Sequence, residues 1–385
     1  MSATANVAHA RTTADVVAAV ANAVARHSPV RIVGRGHWLD AGRPTRDASA
    51  LLLDELSGVV AYTPGDLTLT ARAGTTLADI AAVTADHAQW LALDPFGPLD
   101  GTLGATIATA SAGPLAHAFG TPRDAALGIE AVTGDAAIIR AGGRVVKNVA
   151  GFDLTRLFTG AWGTLGVITE ITVRLRARPQ VDETWSIPVP ANNGALEALC
   201  AALRAAPIAP LALELIDARL AAALSLGDHD VMLIRLGGSE ESVRAQRDAI
   251  RTVGAAADAP AGVWDALRTS DPPGSAVVRF SDLPSRVADT WRAAREITSL
   301  AGGARQHASV GRGIVRVIAP PNDDAAVTAL VHAAARAATA IPERLPGTCW
   351  SALTTPMPNA ELARRVKRAF DPANLLNPGI LGIEP

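Results

Sequence analysis

Two glycine-rich bends of this sequence could bind a phosphorylated ligand with main-chain atoms alone. The bend at residues 34–38 follows the apolar run VRIV, and the bend at residues 101–105 lies in a long stretch of Gly, Ala, Ser and Thr. Successive N–H groups in such bends form a concave anion site without a lysine. The sequence therefore predicts that the two bends hold a pyrophosphate group.

A third segment places a glycine-rich corner between a helix and a strand. It runs from Lys147 to Leu175 and reads KNVAGFDLTRLFTGAWGTLGVITEITVRL. Its DLTRLF is predicted to form a helix, and VITEITVRL alternates in polarity as a strand does. Because glycine has no Cβ, the corner GAWGTLG lets main chain approach a flat ligand closely.

Other common cofactor and metal patterns are absent from the sequence. The dinucleotide fingerprint GxGxxG needs a glycine where this chain has Leu39, and no GKS or GKT tripeptide supports a nucleoside triphosphate site. The two cysteines, Cys200 and Cys349, are too few for an iron–sulfur cluster and exclude a disulfide framework. No His, Cys or acidic residues have paired metal-ligand spacing, so no metal site is predicted.

Four blocks of the chain, in order, resemble the FAD-binding domain of the vanillyl-alcohol oxidase and p-cresol methylhydroxylase (PCMH) type. They are RIVGRGHWLDAGRP, GTLGATIATASAG, GTPRDAALGIEAVTGD and the segment from Lys147 to Leu175. With the terminal FDPANLLNPG, they are most similar to the smaller of the flavin-binding subunits of glycolate oxidase. The resemblance covers residues 30–180 and 361–379 and is weak between them.

The resemblance implies FAD as the cofactor and assigns residues to it. In this chain Ala105–Thr106 stand where many relatives have Gly–Asn, and Ala161–Trp162 replace Ser–Glu in the corner. The implied contacts are Gly34, Arg35, Gly36, His37 and Trp38 in the first bend, Gly101, Thr102, Gly104, Ala105 and Thr106 in the second, Ser111, Gly113 and Pro114 beside the isoalloxazine, and Gly163, Gly166 and Ile168 in the corner and its strand.

A few polar residues have two interpretations each. His37 stands where some relatives carry a histidine bonded covalently to the flavin, but a polar residue near phosphate explains it equally well. Arg123 either forms a local ion pair with Asp124 or lies near the flavin or a substrate carboxylate, which a guanidinium matches well. His307 is either a buried structural histidine or an active-site group. The pair Lys147–Asn148 is either a solvated hairpin end or a donor to the cofactor.

The resemblance also implies an FAD-dependent oxidoreductase acting on CH–OH donors, as a subunit of a glycolate (2-hydroxy acid) dehydrogenase. In such chemistry a hydride leaves C2, a base takes the hydroxyl proton and an arginine holds the carboxylate. Beyond the candidates Arg123 and His307, the sequence offers no catalytic residue. This gap favours electron relay by this chain, with a larger flavin subunit that oxidises the substrate and an iron–sulfur subunit as partners.

The sequence leaves two alternatives open. The first is a stand-alone FAD-dependent dehydrogenase for a 2-hydroxy acid such as D-lactate, or for a sugar-type substrate. The second is a scaffold subunit that keeps the fold and has lost flavin.

The helices and strands that the sequence predicts around the candidate site residues indicate an α+β protein of two domains. Apolar spacing predicts a helix capped by Thr13, followed by the strand that leads into the first bend. We expect a PCMH-type FAD-binding domain of two subdomains at 1–180 and a smaller α+β cap at 181–355, with antiparallel strands and helices on one face. Residues 356–385 are expected to form a helix, with Asn359 as its N-cap and an apolar stripe of Leu362, Val366 and Phe370, and a tail that docks on the FAD domain.

Composition restricts the partners and the compartment. The net charge of −2 and the pI of about 6.5 give no electrostatic basis for binding nucleic acid. The first residues lack a secretory signal, and no apolar stretch is long enough for a membrane helix. We therefore expect a cytoplasmic protein that reaches a membrane only through its partners.

Overall fold

The chain divides into two compact units. The first unit comprises residues 1–112, 120–178 and 356–385, and the second comprises residues 113–119 and 179–355. The computed structural model describes residues 7–45, 48–143, 152–192, 194–299, 303–337, 339–353 and 359–382. The two interpretations of Lys147–Asn148 fall outside these residues.

The first unit contains an antiparallel sheet, a parallel sheet and a short two-stranded ribbon. Its strands are β1 (Val7–His9), β2 (Val30–Val33), β3 (Ser49–Leu52), β4 (Val59–Thr63), β5 (Thr68–Arg72), β6 (Gln89–Trp90), β7 (Ala126–Thr133), β8 (Ile138–Gly142), β9 (Gly166–Arg174) and β10 (Arg176–Ala177). The parallel sheet has the order β1-β3-β2, the antiparallel sheet has the order β4-β5-β9-β7-β8, and β6 pairs with β10.

The α-helices are short, and several begin at side-chain caps. Thr12, one residue before the predicted cap, and Thr76 each complete a capping box with the aspartate three residues on. The helices are α1 (Thr13–Arg26), α2 (Leu77–Ala85), α3 (Leu103–Thr109), α4 (Ala116–Phe119), α5 (Pro122–Ala125), α6 (Leu154–Phe158), α7 (Ala195–Ala205), α8 (Ala218–Ala223), α9 (Glu240–Val253), α10 (Val263–Arg268), α11 (Val287–Ser299), α12 (Asp324–Arg336) and α13 (Ala360–Phe370).

The first unit has two apolar cores, one for each of its larger sheets. Leu69 and Ile171 of the antiparallel sheet pack with Ile107 of α3, and Phe370 of α13 packs against them. The parallel sheet packs on α1, and the tail residues Leu375 and Leu376 join that core. The predicted return of the C-terminal tail to the FAD domain is therefore confirmed.

The C-terminal helix differs in two details from its prediction. Asn359 precedes α13, but it has φ of +62° and its side chain makes no capping hydrogen bond. Of the predicted apolar stripe, Val366 and Phe370 pack on the core, whereas Leu362 is 58% exposed. The stripe therefore covers only the second half of the helix.

The second unit is built on one eight-stranded sheet. Its strands are β11 (Val181–Pro188), β12 (Ala212–Ile216), β13 (Val231–Gly238), β14 (Ala257–Asp258), β15 (Ala276–Ser281), β16 (Arg305–Ser309), β17 (Ile314–Ala319) and β18 (Ala340–Arg344). All pairs are antiparallel, and the order is β14-β11-β13-β12-β16-β17-β15-β18.

Helices cover both faces of this sheet, so the prediction of helices on one face is wrong. The longer helices α7, α9, α11 and α12 pack on one face, and the short helices α8 and α10 pack on the other. The reason is visible in β12, where all five residues are buried and no exposed side of the strand remains.

Within the described ranges, no helix is both long enough and apolar enough to cross a membrane.

Candidate functional site

A cavity in the first unit is lined by the two glycine-rich bends and the glycine-rich corner. The predicted residues that line it are Gly34, Arg35, Gly36, His37, Trp38, Gly101, Thr102, Gly104, Ala105, Thr106, Gly163, Gly166 and Ile168.

Three of the residues implied to contact the cofactor do not line this cavity. They are Ser111, Gly113 and Pro114. Ala110 ends α3 with a left-handed φ of +52°, and the chain leaves the cavity wall at that point. Ser111 belongs to the first unit and residues 113–119 to the second, so the implied contacts of this segment stay a prediction.

The two bends meet directly at Gly34. A Cβ added there would lie 2.7 Å from Oγ1 of Thr102 and 3.6 Å from Cβ of Ala105. Thr102 is fixed in turn, because its hydroxyl oxygen accepts a hydrogen bond from the amide of Ala105 at 3.3 Å. Glycine at position 34 therefore allows the two bends to share one wall.

The two bends differ in the main-chain donors that they leave available. In the first bend, the amides of Arg35 and Gly36 make no hydrogen bond to any described residue. In the second bend, the amides of Leu103 and Gly104 already donate to the carbonyls of Thr75 and Ala73, both at 2.8 Å. The amides of Leu103 and Gly104 are therefore excluded as donors to an anion, whereas those of Arg35 and Gly36 stay available.

Gly104 has a packing role in place of a donor role. A Cβ at this position would lie 2.7 Å from Cβ of Ala73 and 2.8 Å from its carbonyl oxygen. The missing side chain lets α3 lie directly against the end of β5. Gly104 therefore allows the close approach of α3 and β5 that forms this wall of the cavity.

Asp100 links the side chains of the first bend to the start of the second. Its carboxylate lies 3.3 Å from Nη1 of Arg35 and 2.9 Å from Nε2 of His37. Burial opposes ionisation of Asp100, but the charge of His37 and the hydrogen bond from Arg35 hold the pKa of this carboxyl below its usual value. Sequence reasoning missed this carboxylate, although it stands directly before Gly101.

The glycine-rich corner docks on the end of α3. Gly160 and Trp162 donate main-chain hydrogen bonds to the carbonyls of Ile107 and Ala108 at 3.0 and 2.8 Å. Trp162 has φ of +53°, and its ring meets that of Trp38 edge to face, with centroids 5.9 Å apart. Both rings line the cavity, and Trp162 was not among the predicted site residues.

The C-terminal tail forms part of the same cavity. Asn377 and Ile380 line it, and the structure holds Asn377 by two hydrogen bonds. Its Oδ1 accepts from the amide of Ile32 at 2.9 Å, and its Nδ2 donates to the carbonyl of Trp162 at 2.7 Å. A Cβ at Gly163 would meet Nδ2 of Asn377 at 2.9 Å, so the corner and the tail are in close contact.

This cavity fits FAD, the cofactor implied by the resemblance. Its walls combine main chain with apolar side chains such as Trp38, Phe96 and Ile168. The unpartnered amides of Arg35 and Gly36 give a diphosphate two adjacent donors. A flat ring system carried on a diphosphate needs this combination.

Arg123 lies outside the cavity, exposed on α5. Its neighbour Asp124 accepts hydrogen bonds from the amide and the hydroxyl of Thr121 at 2.8 and 2.9 Å. These bonds, against some burial, lower the pKa of Asp124. The geometry of the first unit therefore gives Asp124 the role of a local cap and gives Arg123 no contact with the cavity.

His307 lies in β16 of the second unit, in a buried polar cluster. It is 3% exposed, and its Nδ1 is 3.1 Å from Oε2 of Glu214 in the neighbouring β12. His117 interacts electrostatically with Glu214, and its ring lies 2.2 Å from where a Cβ of Gly311 would be. Burial lowers the pKa of His117, Glu214 opposes that shift and Arg312 adds to it.

A second charged cluster surrounds Arg316, which is 2% exposed in β17. Its guanidinium makes two hydrogen bonds to Asp271, at 2.9 and 2.6 Å, and one to Glu343 at 2.8 Å. Arg344 also contacts Asp271 at 3.3 Å. Neither this cluster nor His117 was identified from the sequence.

Comparison with protein families and curated proteins identifies relatives of this chain. A family model described as FAD binding domain matches residues 4–142, and one described as FAD linked oxidases, C-terminal domain matches residues 348–381. Glycolate oxidase subunit GlcE of Escherichia coli is 31% identical over 275 residues, which are 71% of this chain and 70% of that protein. D-lactate dehydrogenase of Archaeoglobus fulgidus is 32% identical over 192 residues, 50% of this chain and 42% of that protein.

Solved structures share the fold at low sequence identity. p-Cresol methylhydroxylase with substrate bound aligns over 98% of this chain and 88% of that chain, with a TM-score of 0.76 and 16% identity. This likeness confirms the predicted PCMH-type architecture and concerns the fold alone.

Proposed function

Because the chain belongs to the family of FAD-linked oxidases that includes glycolate oxidase subunit GlcE, we propose that it is the FAD-binding subunit of a glycolate dehydrogenase complex. FAD is its cofactor, and the chain is an oxidoreductase of that family. The observation that carries the proposal is the cavity of the first unit, where bends, corner and tail present the donors and flat walls that this cofactor needs.

In this proposal, residues of the first unit bind FAD and form the walls of its cavity. The amides of Arg35 and Gly36 donate to the diphosphate, and Trp38, Trp162 and Ile168 provide flat apolar walls. FAD, when bound, supplies the electron-transfer chemistry. The protein contributes the position of the cofactor, because the cavity contains few side chains that could take a proton.

The positions of the candidate catalytic residues support a role in electron relay. Arg123 lies outside the cavity, and His307 is buried against Glu214 in the second unit. With two cysteines, the chain lacks the four thiolates that an iron–sulfur cluster usually takes. We therefore propose that a larger flavin subunit oxidises the 2-hydroxy acid and that an iron–sulfur subunit carries the electrons onward.

The test is dye reduction with glycolate and D-lactate, by the purified chain alone and by the complex copurified from its native host. We expect a flavin spectrum in both samples and rapid turnover only in the complex. Robust turnover by the isolated chain would refute the subunit role while leaving FAD binding intact.

The second candidate is a stand-alone 2-hydroxy acid dehydrogenase. The relation to a protein named D-lactate dehydrogenase favours it, and the buried pair His307–Glu214 would then be the first place to look for a base. His307→Gln separates the candidates, since it would abolish turnover by a stand-alone enzyme and leave electron relay by a subunit largely unchanged. The scaffold alternative without flavin is set aside, because FAD is the cofactor of this family.

A further inference from the structure

We infer that the C-terminal tail contributes to FAD binding by holding the walls of the pocket in place. In this inference, Asn377, Lys367 and Asp371 couple the docking of the tail to FAD binding. The inference rests on the proposed FAD site in the first unit. It makes these three side chains positioning residues, because they act through the main chain of the pocket.

Asn377 joins two walls of the cavity that are distant in sequence. It receives a hydrogen bond from the amide of Ile32, in the strand that leads into the first bend, and it donates to the carbonyl of Trp162 in the corner. The side chain is 3% exposed and lies against the cavity. Without the tail, both main-chain groups would lose their partner at the edge of the site.

The main chain of the tail extends the parallel sheet next to the first bend. The amide of Val30 donates to the carbonyl of Leu375 at 2.8 Å, and the amide of Asn377 donates to the carbonyl of Val30 at 2.9 Å. Leu376 forms a parallel bridge with Val30. The tail therefore lies beside β2 through one parallel bridge, in a register that brings Asn377 to the cavity.

Lys367 fixes the tail and the corner at a single buried point. Its Nζ donates to the carbonyl of Thr164 in the corner at 2.7 Å and to the carbonyl of Leu376 in the tail at 3.0 Å. It also pairs with the carboxylate of Asp371 at 2.5 Å. Lys367 is 4% exposed, so its charge is stabilised by these three acceptors and not by water.

Asp371 completes the arrangement by shaping the turn after α13. Its carboxylate accepts hydrogen bonds from the amides of Leu375 and Leu376 at 3.1 and 2.8 Å, and the residue is fully buried. Gly134 allows this position, because a Cβ there would lie 2.4 Å from Oδ1 of Asp371. The turn is thus held against the β7–β8 hairpin.

These contacts make tail docking and FAD binding mutually dependent. The tail holds the corner and the first bend in the positions that face the cavity, and it supplies Ile380 as a further wall residue. A ligand that binds only the docked form stabilises docking by the same factor by which docking tightens the ligand. FAD is therefore expected to protect the tail from opening.

The first experiment compares Asn377→Gly with Asn374→Gly in the full-length chain. Both asparagines lie in the tail with positive φ, +43° and +50°, so glycine fits both backbones and removes only the side chain. Asn374 does not line the cavity. We expect the FAD dissociation constant, measured by flavin fluorescence, to rise about tenfold in Asn377→Gly and less than about twofold in Asn374→Gly.

The second experiment measures hydrogen exchange of the apoprotein and the FAD complex by NMR or mass spectrometry. In the wild-type protein, FAD should slow exchange at the amides of Ile32 and Asn377. In Lys367→Met this protection should be much smaller, whereas Arg368→Met, which changes the exposed neighbour on the same helix, should keep it. A merely structural role for Lys367 would lower stability without changing the effect of FAD.

The outcomes separate this inference from the proposed FAD site. Gly34→Val should abolish FAD binding if the cavity is the site, and wild-type affinity in that variant would refute the site itself. Wild-type affinity in Asn377→Gly, with binding lost in Gly34→Val, would overturn the tail inference alone. Should Asn377→Gly not fold, the exchange data decide, because unchanged exchange at Ile32 and Asn377 on adding FAD to wild-type protein also overturns it.

Discussion

The cavity of the first unit and the polar clusters of the second unit are formed by different groups. In the first unit the cavity is shaped by main chain, with Gly34 and Gly104 allowing contacts that a Cβ would prevent. In the second unit the polar groups are buried charged side chains on strands, such as Arg316 and the pair His307–Glu214. The cavity walls of the first unit should therefore be sensitive to added volume, and the polar clusters of the second unit to a lost charge.

The largest expected effect is in the second unit, from Arg316→Met. This change keeps much of the side-chain volume and leaves the largely buried carboxylates of Asp271 and Glu343 without their main partner, which costs about 3–5 kcal/mol. Hydrogen exchange of β15 and β17 peptides in increasing urea measures this loss. FAD affinity should stay within about twofold of wild type, because the change lies in the unit without the cavity.

A matched control for this prediction is Arg244→Met. Arg244 forms an exposed pair with Glu240 at a spacing of four residues, and its loss should cost less than about 0.5 kcal/mol. If Arg316→Met lowered the free energy of FAD binding as much as the free energy of unfolding, the contrast between the two units would be contradicted.

The next effect is in the first unit, from Gly104→Ala. The new Cβ would be within 3 Å of Ala73, so α3 must shift, at a cost of about 1–3 kcal/mol and with weaker FAD binding. Gly101→Ala is the comparison, since its Cβ would meet no atom closer than 3.4 Å. Isothermal titration with FAD and thermal unfolding of the apoprotein measure both variants, and equal effects at the two positions would contradict the packing role of Gly104.

A smaller effect should appear as a pH dependence of the second unit. Burial, opposed by Glu214 and reinforced by Arg312, lowers the pKa of His117 below its usual 6.5, so in the window below 6.5 the unfolded chain binds a proton that the folded chain does not. The free energy of unfolding should therefore fall as pH decreases from 6.5, with a slope of at most about 1.4 kcal/mol per pH unit from this group. Chemical denaturation from pH 5 to 8 tests this, and His117→Gln should flatten the profile if His117 causes it.

The smallest expected effect is that of Arg123→Ala. Arg123 is exposed on α5 and lies outside the cavity, so stability should change by less than about 0.5 kcal/mol and FAD affinity should be unchanged. Fluorescence titration of this variant with FAD checks the result. A loss of FAD affinity would contradict this prediction and indicate that Arg123 contacts the cofactor.

The glycine-rich bends and the corner could be predicted from sequence because their chemistry is that of the backbone. Glycine and small residues at residues 34–38, 101–105 and 163–166 mark places where main chain approaches something else, and these places line one cavity. Sequence could not show which amides were already used, since that depends on the pairing of Leu103 and Gly104 with residues 73–75.

The missed residues share the property that only the tertiary structure reveals their environment. Lys367 stands among other basic residues in NAELARRVKRAF, and its one signal is the spacing of four residues to Asp371. Arg316 interrupts the apolar strand IVRVI, which is a signal of a buried charge, but its partner Asp271 lies in a distant loop. The strand order of the second unit was out of reach for the same reason.

The discontinuous path of the first unit determines when its pocket can form during translation. The ribosome makes the bends and the corner early, then the whole segment 179–355, and only afterwards Lys367 and Asn377. A nascent chain that has emerged only as far as residue 355 therefore lacks one wall of the cavity. Cofactor loading should accordingly follow translation, after the second unit has had time to fold.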